Sequence, residues 1–171
     1  MYASRLIRPF VAAAAAAGLL AGCASVPASG GGNAGPAAFR AEDFAWSAGG
    51  GSAAIEGRID YRRDGQAFAC TGSVAATPDT PYTRARFRTL YGSTERAAVP
   101  EAVVRARTVP DPNADYRSYV RSGVCQDNRF ELTGLPAGGW FVIVPVSADG
   151  EERIVLMRRV VTRGGRVSVT L

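Results

Sequence analysis

Tyrosine and arginine side chains are the residues of this sequence whose types and spacing best fit a binding site. They lie in two irregular stretches between Cys70 and Cys125. Their members are Tyr82, Arg84, Arg88, Tyr91, Tyr116, Arg117, Tyr119 and Arg121. Aromatic rings beside guanidinium groups can stack on sugars or hold acidic groups. The same spacing also fits tyrosines that cover a core and arginines that face water, and we favour this second interpretation.

Histidine is absent from the sequence, and its absence narrows the possible chemistry. With 0 His among 171 residues, a Ser-His-Asp triad, a Cys-His pair and any histidine metal site are excluded. Three cysteines are too few for a four-cysteine zinc site. The acid pairs Glu42-Asp43 and Glu151-Glu152 fall at the ends of predicted elements, and neither spacing suggests two acids converging in one pocket. We therefore expect no enzyme activity, no metal and no cofactor.

The net charge gives little reason to expect a nucleic-acid partner. All 20 basic residues are Arg, and the formal net charge is +5. Arg5 and Arg8 lie in a segment that we expect to be removed, which leaves 18 Arg against 15 acids, or +3. Such a balance is too weak to form the basic surface that nucleic-acid binding needs.

The first 22 residues have the pattern of a secretory signal peptide. Arg5 and Arg8 precede an apolar run from Phe10 to Leu20, the charged and apolar regions of such a signal. The run is too short to span a bilayer as a stable helix. An exported protein with a cleaved leader is therefore predicted.

The signal ends in Leu20-Ala21-Gly22-Cys23, which resembles the bacterial lipobox. This resemblance implies cleavage before Cys23, attachment of a lipid to that cysteine, and a membrane partner through the anchor. Several acyl chains hold a protein far more firmly than one. Ala24 implies sorting to the outer membrane, facing the periplasm or the cell surface. The alternative is an ordinary signal with an incidental cysteine. Residues 23–38 form the lipidated cysteine and a Gly- and Ala-rich tether.

Residues 39–171 form the single folded domain, and their patterns predict mainly strands. Phe130 and Leu132 alternate with polar residues, Gly134 to Gly139 provides a turn, and Trp140 to Val146 continues as an apolar strand. We expect this segment to be the central hairpin, with Trp140 in the core. Together with further short strands and regular turns, it predicts an all-β fold, a small antiparallel β-sandwich of about seven strands of prealbumin-like or immunoglobulin-like type.

Four other segments carry specific expectations. Residues 39–46 are interpreted as an edge strand or packing arm. A short helical insertion is predicted near 80–91, because Asp79 or Thr80 can cap it, Pro81 suits its first turn, and Gly92 can end it; a strand with Ala85, Phe87 and Thr89 inward is the alternative. Residues 102–109 are predicted as a strand, and Arg158-Arg159 as an exposed pair guarding a sheet edge.

The cysteines that remain after lipidation are Cys70 and Cys125. An even number in an exported protein most simply forms one disulfide. Closing this loop stabilises the fold by about 4 kcal/mol in the chain-entropy estimate. The alternative, a redox-active pair, usually requires closer spacing such as Cys-x-x-Cys.

Several motifs resemble those of carboxypeptidase regulatory-like domains, which are prealbumin-like (transthyretin-like) sandwiches. The resemblance covers about residues 54–171. Its motifs are Gly57 to Tyr61, Ala69 to Val74, Thr77 to Tyr82 and Phe130-x-Leu132-x-Gly134-Leu135-Pro136-Ala137-Gly138. It departs from the family at Gly139-Trp140 and at Gln126-Asp127-Asn128. The resemblance implies an accessory or binding module, and it transfers no catalytic residue. The related hydroxyisourate hydrolases depend on histidines, which this chain lacks.

Three functional hypotheses follow from the sequence, of which the third, a carboxylate-based hydrolase, would need two acids converging in a pocket and is not supported by their spacing. The first is a non-catalytic, membrane-anchored lipoprotein that displays a β-sandwich in the periplasm as a binding or structural module. The second is a module that binds carbohydrate or envelope glycan through the tyrosines and arginines of the two irregular stretches. Under the first hypothesis, the module could also bind an envelope protein.

Overall fold

The computed structural model describes residues 37–70, 72–109, 115–148 and 153–171. Of these residues, 49% lie in strands and 23% in helical segments. The strands are β1 (Ala53–Arg58), β2 (Arg62–Arg63), β3 (Gln66–Ala67), β4 (Ala69–Cys70), β5 (Ser73–Pro78), β6 (Arg96–Pro100), β7 (Arg121–Gln126), β8 (Arg129–Leu135), β9 (Gly138–Ser147), β10 (Ile154–Thr162) and β11 (Gly165–Thr170). The helices are α1 (Ala45–Ala48), α2 (Pro81–Tyr91) and α3 (Glu101–Ala106), with 3-10 helices at Ala41–Phe44 and Tyr116–Tyr119.

Most strands join one curled mixed sheet with the shape of a half-barrel. Its order is β11-β1-β8-β7-β5-β9-β10-β6, with β4 beside β9, while β2 and β3 pair separately. Neighbouring strands in this sheet run antiparallel, except that β1 and β11 run parallel. The prediction of a wholly antiparallel arrangement is therefore wrong at this pair, because the last strand returns to the sheet beside the first one.

The predicted hairpin of β8 and β9 is also wrong. Both segments are strands, but β8 pairs with β1 and β7, whereas β9 pairs with β5 and β10. Because each of the two strands already has a hydrogen-bonded partner along both of its edges, they cannot pair with each other. Gly134, the penultimate residue of β8, has a φ of +68°, and the chain crosses to the other part of the sheet through Pro136 and Ala137.

The main core lies on the inner face of the curled sheet. Trp140 is fully buried there, as predicted, with Ile55, Leu132 and Val142 among its neighbours in the same cluster. The outer face of β9 and β10 carries a second, smaller apolar cluster, where Phe87 of α2 packs with Phe141 and Met157. The two clusters explain why β9 is apolar on both faces.

Helix α2 confirms the predicted insertion, and its ends follow from local chemistry. The Thr80 hydroxyl accepts the Thr83 backbone N–H, while the Thr83 hydroxyl accepts the Thr80 N–H, which completes a capping box. Pro81 occupies the first turn, where its missing N–H has no intrahelical acceptor. Gly92 ends the helix in the left-handed conformation, with a φ of +74°.

One predicted strand is helical, and for a second segment the packing-arm alternative is confirmed. Residues 102–109 were expected to be extended, but Glu101–Ala106 forms α3. The position beside β10 is taken by β6, whose Pro100 lies opposite Ile154, so the chain turns away there and folds locally. Residues 39–46 pack on the domain as 3-10 helix and α1 rather than as an edge strand.

The predicted disulfide is confirmed. Cys70 and Cys125 are bonded, with their Cα atoms 6.1 Å apart. The bond joins β4 to β7, two strands that are not neighbours in the sheet. The Asn128 side chain also accepts the Cys70 backbone N–H at 2.9 Å. This region is therefore tied together by covalent and hydrogen bonds.

Candidate functional site

Asp79 fixes the start of α2 to the sheet. Its side chain is only 2% exposed and accepts hydrogen bonds from Arg84 Nε at 2.5 Å and from Arg159 Nε of β10 at 2.5 Å. The bond to Asp79 is the main cause that raises the pKa of Arg84. Gly139 passes so close that a Cβ there would lie 2.7 Å from the carboxylate. The helix thus begins at a well-defined point of the sheet.

Helix α2 brings Tyr82 into an aromatic cluster built from three distant segments. The cluster consists of Phe39, Phe44, Tyr82, Tyr116 and Tyr119. Ring centroids lie 5.7 Å apart between Tyr82 and Tyr116, and 4.9 Å apart between Phe44 and Tyr119. Tyr82 is 3% exposed, so its ring faces are not free to stack on a sugar. Tyr82 and Tyr119 thus cover the core, which fits the interpretation favoured from the sequence.

Arg86 lies beside this cluster with two N–H-bearing atoms that lack a partner. Its guanidinium carbon is 5.1 Å from the Tyr116 ring centroid. Its Nε and Nη1 atoms are buried, and no hydrogen-bond acceptor of the described residues reaches either of them. Arg117, an exposed residue, places its own guanidinium carbon 5.8 Å from the same ring. A buried guanidinium without acceptors is costly, so this group is well suited to receive the oxygen atoms of a ligand.

Tyr91 completes the surroundings of Arg86. Its ring packs against Phe87 of the same helix, with the ring centroids 5.3 Å apart. The pKa of Tyr91 is raised to about 12, mainly by burial and also by Tyr116, while Arg86 acts in the opposite direction. Its phenol therefore remains neutral at physiological pH and can act as a hydrogen-bond donor or acceptor. We call Arg86, Tyr91, Tyr116 and Arg117 the Arg86 site.

The remaining predicted site residues lie elsewhere. Arg84 is held by Asp79, as described above. Arg88 is exposed and lies two positions from Arg86, on a different side of the helix. Arg121 donates to the carbonyl oxygens of Ser47, Ala48 and Gly49 at 2.9 to 3.0 Å, and so fixes the end of α1. The predicted lipidation residue Cys23 lies outside the described residues.

Sequence reasoning missed Arg86, although a signal for it was present. Arg86 follows Tyr82 by four positions, and side chains at this spacing share one side of a helix. A helix that places Tyr82 at a binding site therefore places Arg86 on the same side. Arg84 and Arg88, the candidates from the sequence, flank Arg86 by two positions and lie on other sides of the helix.

Metal-ligand clusters and surface depressions are two further kinds of site that the described residues could form. Within them, no three His, Cys, Asp or Glu side chains come together as metal ligands. A polar depression of about 500 Å³ lies on the sheet face formed by β1, β8 and β11. The carboxylates along it are already engaged, since Arg166 pairs with Glu56 and lies 3.9 Å from Glu131. No helix in the described parts of the chain is long and apolar enough to cross a membrane.

Comparisons with known proteins establish the fold only. No protein-family model matches the chain, and no curated protein matches it either. One solved structure, a "putative carbohydrate binding protein" from Pseudomonas aeruginosa, is similar with a TM-score of 0.52 and 19% sequence identity. The match covers 79% of this chain and 99% of that chain. At this identity, the similarity indicates a shared fold and does not assign a ligand.

Proposed function

We propose that this chain is an exported, lipid-anchored protein that displays a non-catalytic β-rich binding module in the cell envelope. The observation that carries this proposal is the Cys70–Cys125 bond, because disulfides persist in oxidising compartments outside the cytosol. The signal pattern and the lipobox ending at Cys23 agree with such a location. Outer-membrane attachment, facing the periplasm or the cell surface, follows from Ala24.

The non-catalytic part of the proposal is supported by two carboxylates, those of Asp79 and Glu101, which are held by arginines. Asp79 lies between two arginines, and Glu101 lies between Arg105 and Arg153. The hydrogen bond from Arg105 is the main cause that lowers the pKa of Glu101, whereas a general acid needs a raised one. We extend the proposal to membership of the carboxypeptidase regulatory-like domains and to a sandwich-type closure of the curled sheet.

Metabolic labelling tests the anchor. Cells expressing the chain are grown with an alkyne analogue of palmitate, and the Cys23→Ser variant is the control. We expect the wild-type protein to carry the label and to partition with membranes, and the variant to do neither. An unlabelled wild-type protein would refute lipidation, while leaving the disulfide-based argument for export intact.

As a second function, we propose carbohydrate binding at the Arg86 site. The unpartnered Nε and Nη1 atoms of Arg86 carry this proposal, because sugar hydroxyl or carboxylate oxygens would supply the missing acceptors. Tyr116 offers an aromatic ring beside the same guanidinium, and sugar C–H faces pack well on such rings. The carbohydrate-binding description of the similar solved structure is consistent with this class of ligand.

Access to the Arg86 site requires one side chain to move. The two unpartnered atoms of Arg86 lie below the surface. Arg117 reaches over Tyr116 from the exposed 3-10 helix at Tyr116–Tyr119. We propose that Arg117 swings away on binding, which costs little because an exposed arginine samples several rotamers.

Binding to envelope glycans tests this second function. The probes are soluble muropeptides and lipopolysaccharide core oligosaccharides on an array, and the full chain carries Cys23→Ser to avoid lipid-mediated adsorption. We expect Arg86→Met to weaken binding at least about tenfold, the value of one charge-assisted hydrogen bond. Arg88→Met, which removes the same charge from the exposed side of α2, is the matched control and should bind like the parent chain.

Two results would contradict carbohydrate binding at this site. One is equal binding by the parent chain and Arg86→Met, with both variants folded by circular dichroism. The other is the absence of binding to every glycan on the array. Neither result bears on lipidation at Cys23, so the two proposals fail independently.

A further inference from the structure

The two edge strands of the curled sheet leave a pocket between them. Strands β6 and β11 end the strand order of the sheet. The pocket has a volume of about 450 Å³, and its apolar lining includes Tyr61, Leu156 and Leu171. This volume falls within the usual range for sites that bind small molecules. We call this space the seam pocket.

Two arginines lie side by side at the seam pocket. Arg96 of β6 is directly opposite Arg158 of β10 in the antiparallel register, and both line the pocket. Arg158 alternates along β10 with the core residues Leu156 and Val160, so it points to the same side of the sheet as they do. Like charges directly opposite each other destabilise a sheet. Both side chains are exposed, so water screens part of this repulsion, and a bound anion would relieve the rest.

The neighbouring arginines have carboxylate partners, but these two do not. Arg159 pairs with Asp79, and Arg153 lies 3.7 Å from Glu101. Among the described residues, neither Arg96 nor Arg158 forms an ion pair with a carboxylate. Arg158 donates from Nη1 to the Thr170 carbonyl oxygen at 3.0 Å, which orients its guanidinium without neutralising it. No side-chain carboxylate of the described residues therefore neutralises the two guanidinium groups at the seam pocket.

We propose that the seam pocket binds a small amphipathic carboxylate, a monoanion with an aliphatic tail. The carboxylate accepts hydrogen bonds from the guanidinium groups of Arg96 and Arg158, for which the planar fork of arginine is well matched. The tail lies against Leu156, Tyr61 and Leu171. A head group with one negative charge is favoured over one with several, because one N–H of Arg158 is already donated to the Thr170 carbonyl oxygen. This site is separate from the Arg86 site and does not depend on carbohydrate binding.

Isothermal titration of the full chain carrying Cys23→Ser with dodecanoate tests the proposal. Dodecanol provides the tail without the charge, and acetate provides the charge without the tail. We expect dodecanoate to bind and each control ligand to bind at least about tenfold more weakly. Arg96→Met and Arg158→Met keep the aliphatic stem but remove the charge, and each should weaken dodecanoate binding about ten- to a hundredfold.

Arg163→Met is the matched control, since Arg163 is exposed just beyond the end of β10. It should bind dodecanoate like the parent chain. Thermal unfolding without ligand separates binding from folding: Arg96→Met should be at least as stable as the parent chain, because it removes the repulsion with Arg158. The proposal is overturned if dodecanoate does not bind, if dodecanol binds equally well, or if both Met variants bind as tightly as Arg163→Met.

Discussion

Asp79 anchors the helix that carries Arg86, so replacing it is expected to loosen both the fold and the Arg86 site. Asp79→Asn keeps the size and shape of the side chain but removes its charge. Arg84 and Arg159 then lose the carboxylate to which their Nε atoms donate at 2.5 Å. In addition, the amide that this substitution introduces carries N–H groups, and these repel the N–H groups of the two neighbouring guanidiniums.

The magnitude follows from the exposure of the three side chains. Breaking a fully buried ion pair costs about 3–5 kcal/mol. Here the Asp79 side chain is 2% exposed, but those of Arg159 and Arg84 are 25% and 50% exposed and can recover part of their hydration. We therefore expect a loss of about 2–3 kcal/mol in the free energy of unfolding. For a domain of this size, that loss lowers Tm by roughly 10 °C.

Urea denaturation followed by circular dichroism measures this loss. Asp60→Asn is the matched control, because Asp60 pairs with Arg58 at 3.3 Å on the surface and both side chains are more than half exposed. The control should lose less than about 1 kcal/mol. If Asp79→Asn is no less stable than Asp60→Asn, the clamp between α2 and the sheet does not contribute as described.

Three further predictions concern the same framework. The pKa of Tyr91 is about 12, against 10.0 for an unperturbed tyrosine, because the folded protein favours the neutral phenol. The folded state should therefore lose about 3 kcal/mol of stability as pH rises from 10 through 12. Tyr91→Phe should remove this loss in unfolding experiments across that pH range. Replacing Cys70 and Cys125 by Ser should cost about 4 kcal/mol, and reduction of the parent chain should match it in the same urea assay. Gly139→Ala should cost about 1–3 kcal/mol by displacing Asp79. In an Asp79→Ala background it should cost less, because the contact with the carboxylate at 2.7 Å is removed while that with the Cβ of residue 79 at 2.9 Å stays; a double-mutant cycle measures the difference.

Features that depend on local chemistry could be predicted from the sequence. Helix α2 was found because Thr80, Pro81 and Gly92 each favour a helix end through their own backbone and side-chain geometry. The Cys70–Cys125 bond could be predicted by counting, since assigning Cys23 to the proposed lipid anchor leaves two cysteines. Strands β10 and β11 were likewise evident from apolar pattern and turn residues.

Features that depend on distant partners could not be predicted in the same way. The glycine-rich turn after Gly134 fits a hairpin, but whether β8 pairs with β9 is decided by β1 and β5, which lie far away in the sequence. Residues 102–109 have strand-forming valines, yet β6 already fills the place beside β10. The edge role given to Arg158-Arg159 fails for the same reason, because β10 has a neighbour on each side.

The candidate site was predictable in its residue types but not in its geometry. Tyr82, Tyr116 and Tyr119 were expected to act together, and they do lie in one cluster. That Phe39 and Phe44 pack on them could not be predicted, because this contact joins the start of the domain to its middle. On helix α2, the buried atoms without a partner among the described residues belong to Arg86 rather than to Arg84 or Arg88.

The guanidinium signal of Arg86 in a ¹H–¹⁵N NMR spectrum tests the central claim of a binding module most directly. Assignment uses Arg86→Met, and the probes are the muropeptides and core oligosaccharides already named. Binding at this site predicts that the Arg86 Nε–Hε signal shifts in proportion to the glycan added, while that of Arg88 stays in place. An unchanged Arg86 signal at saturating glycan would contradict the account.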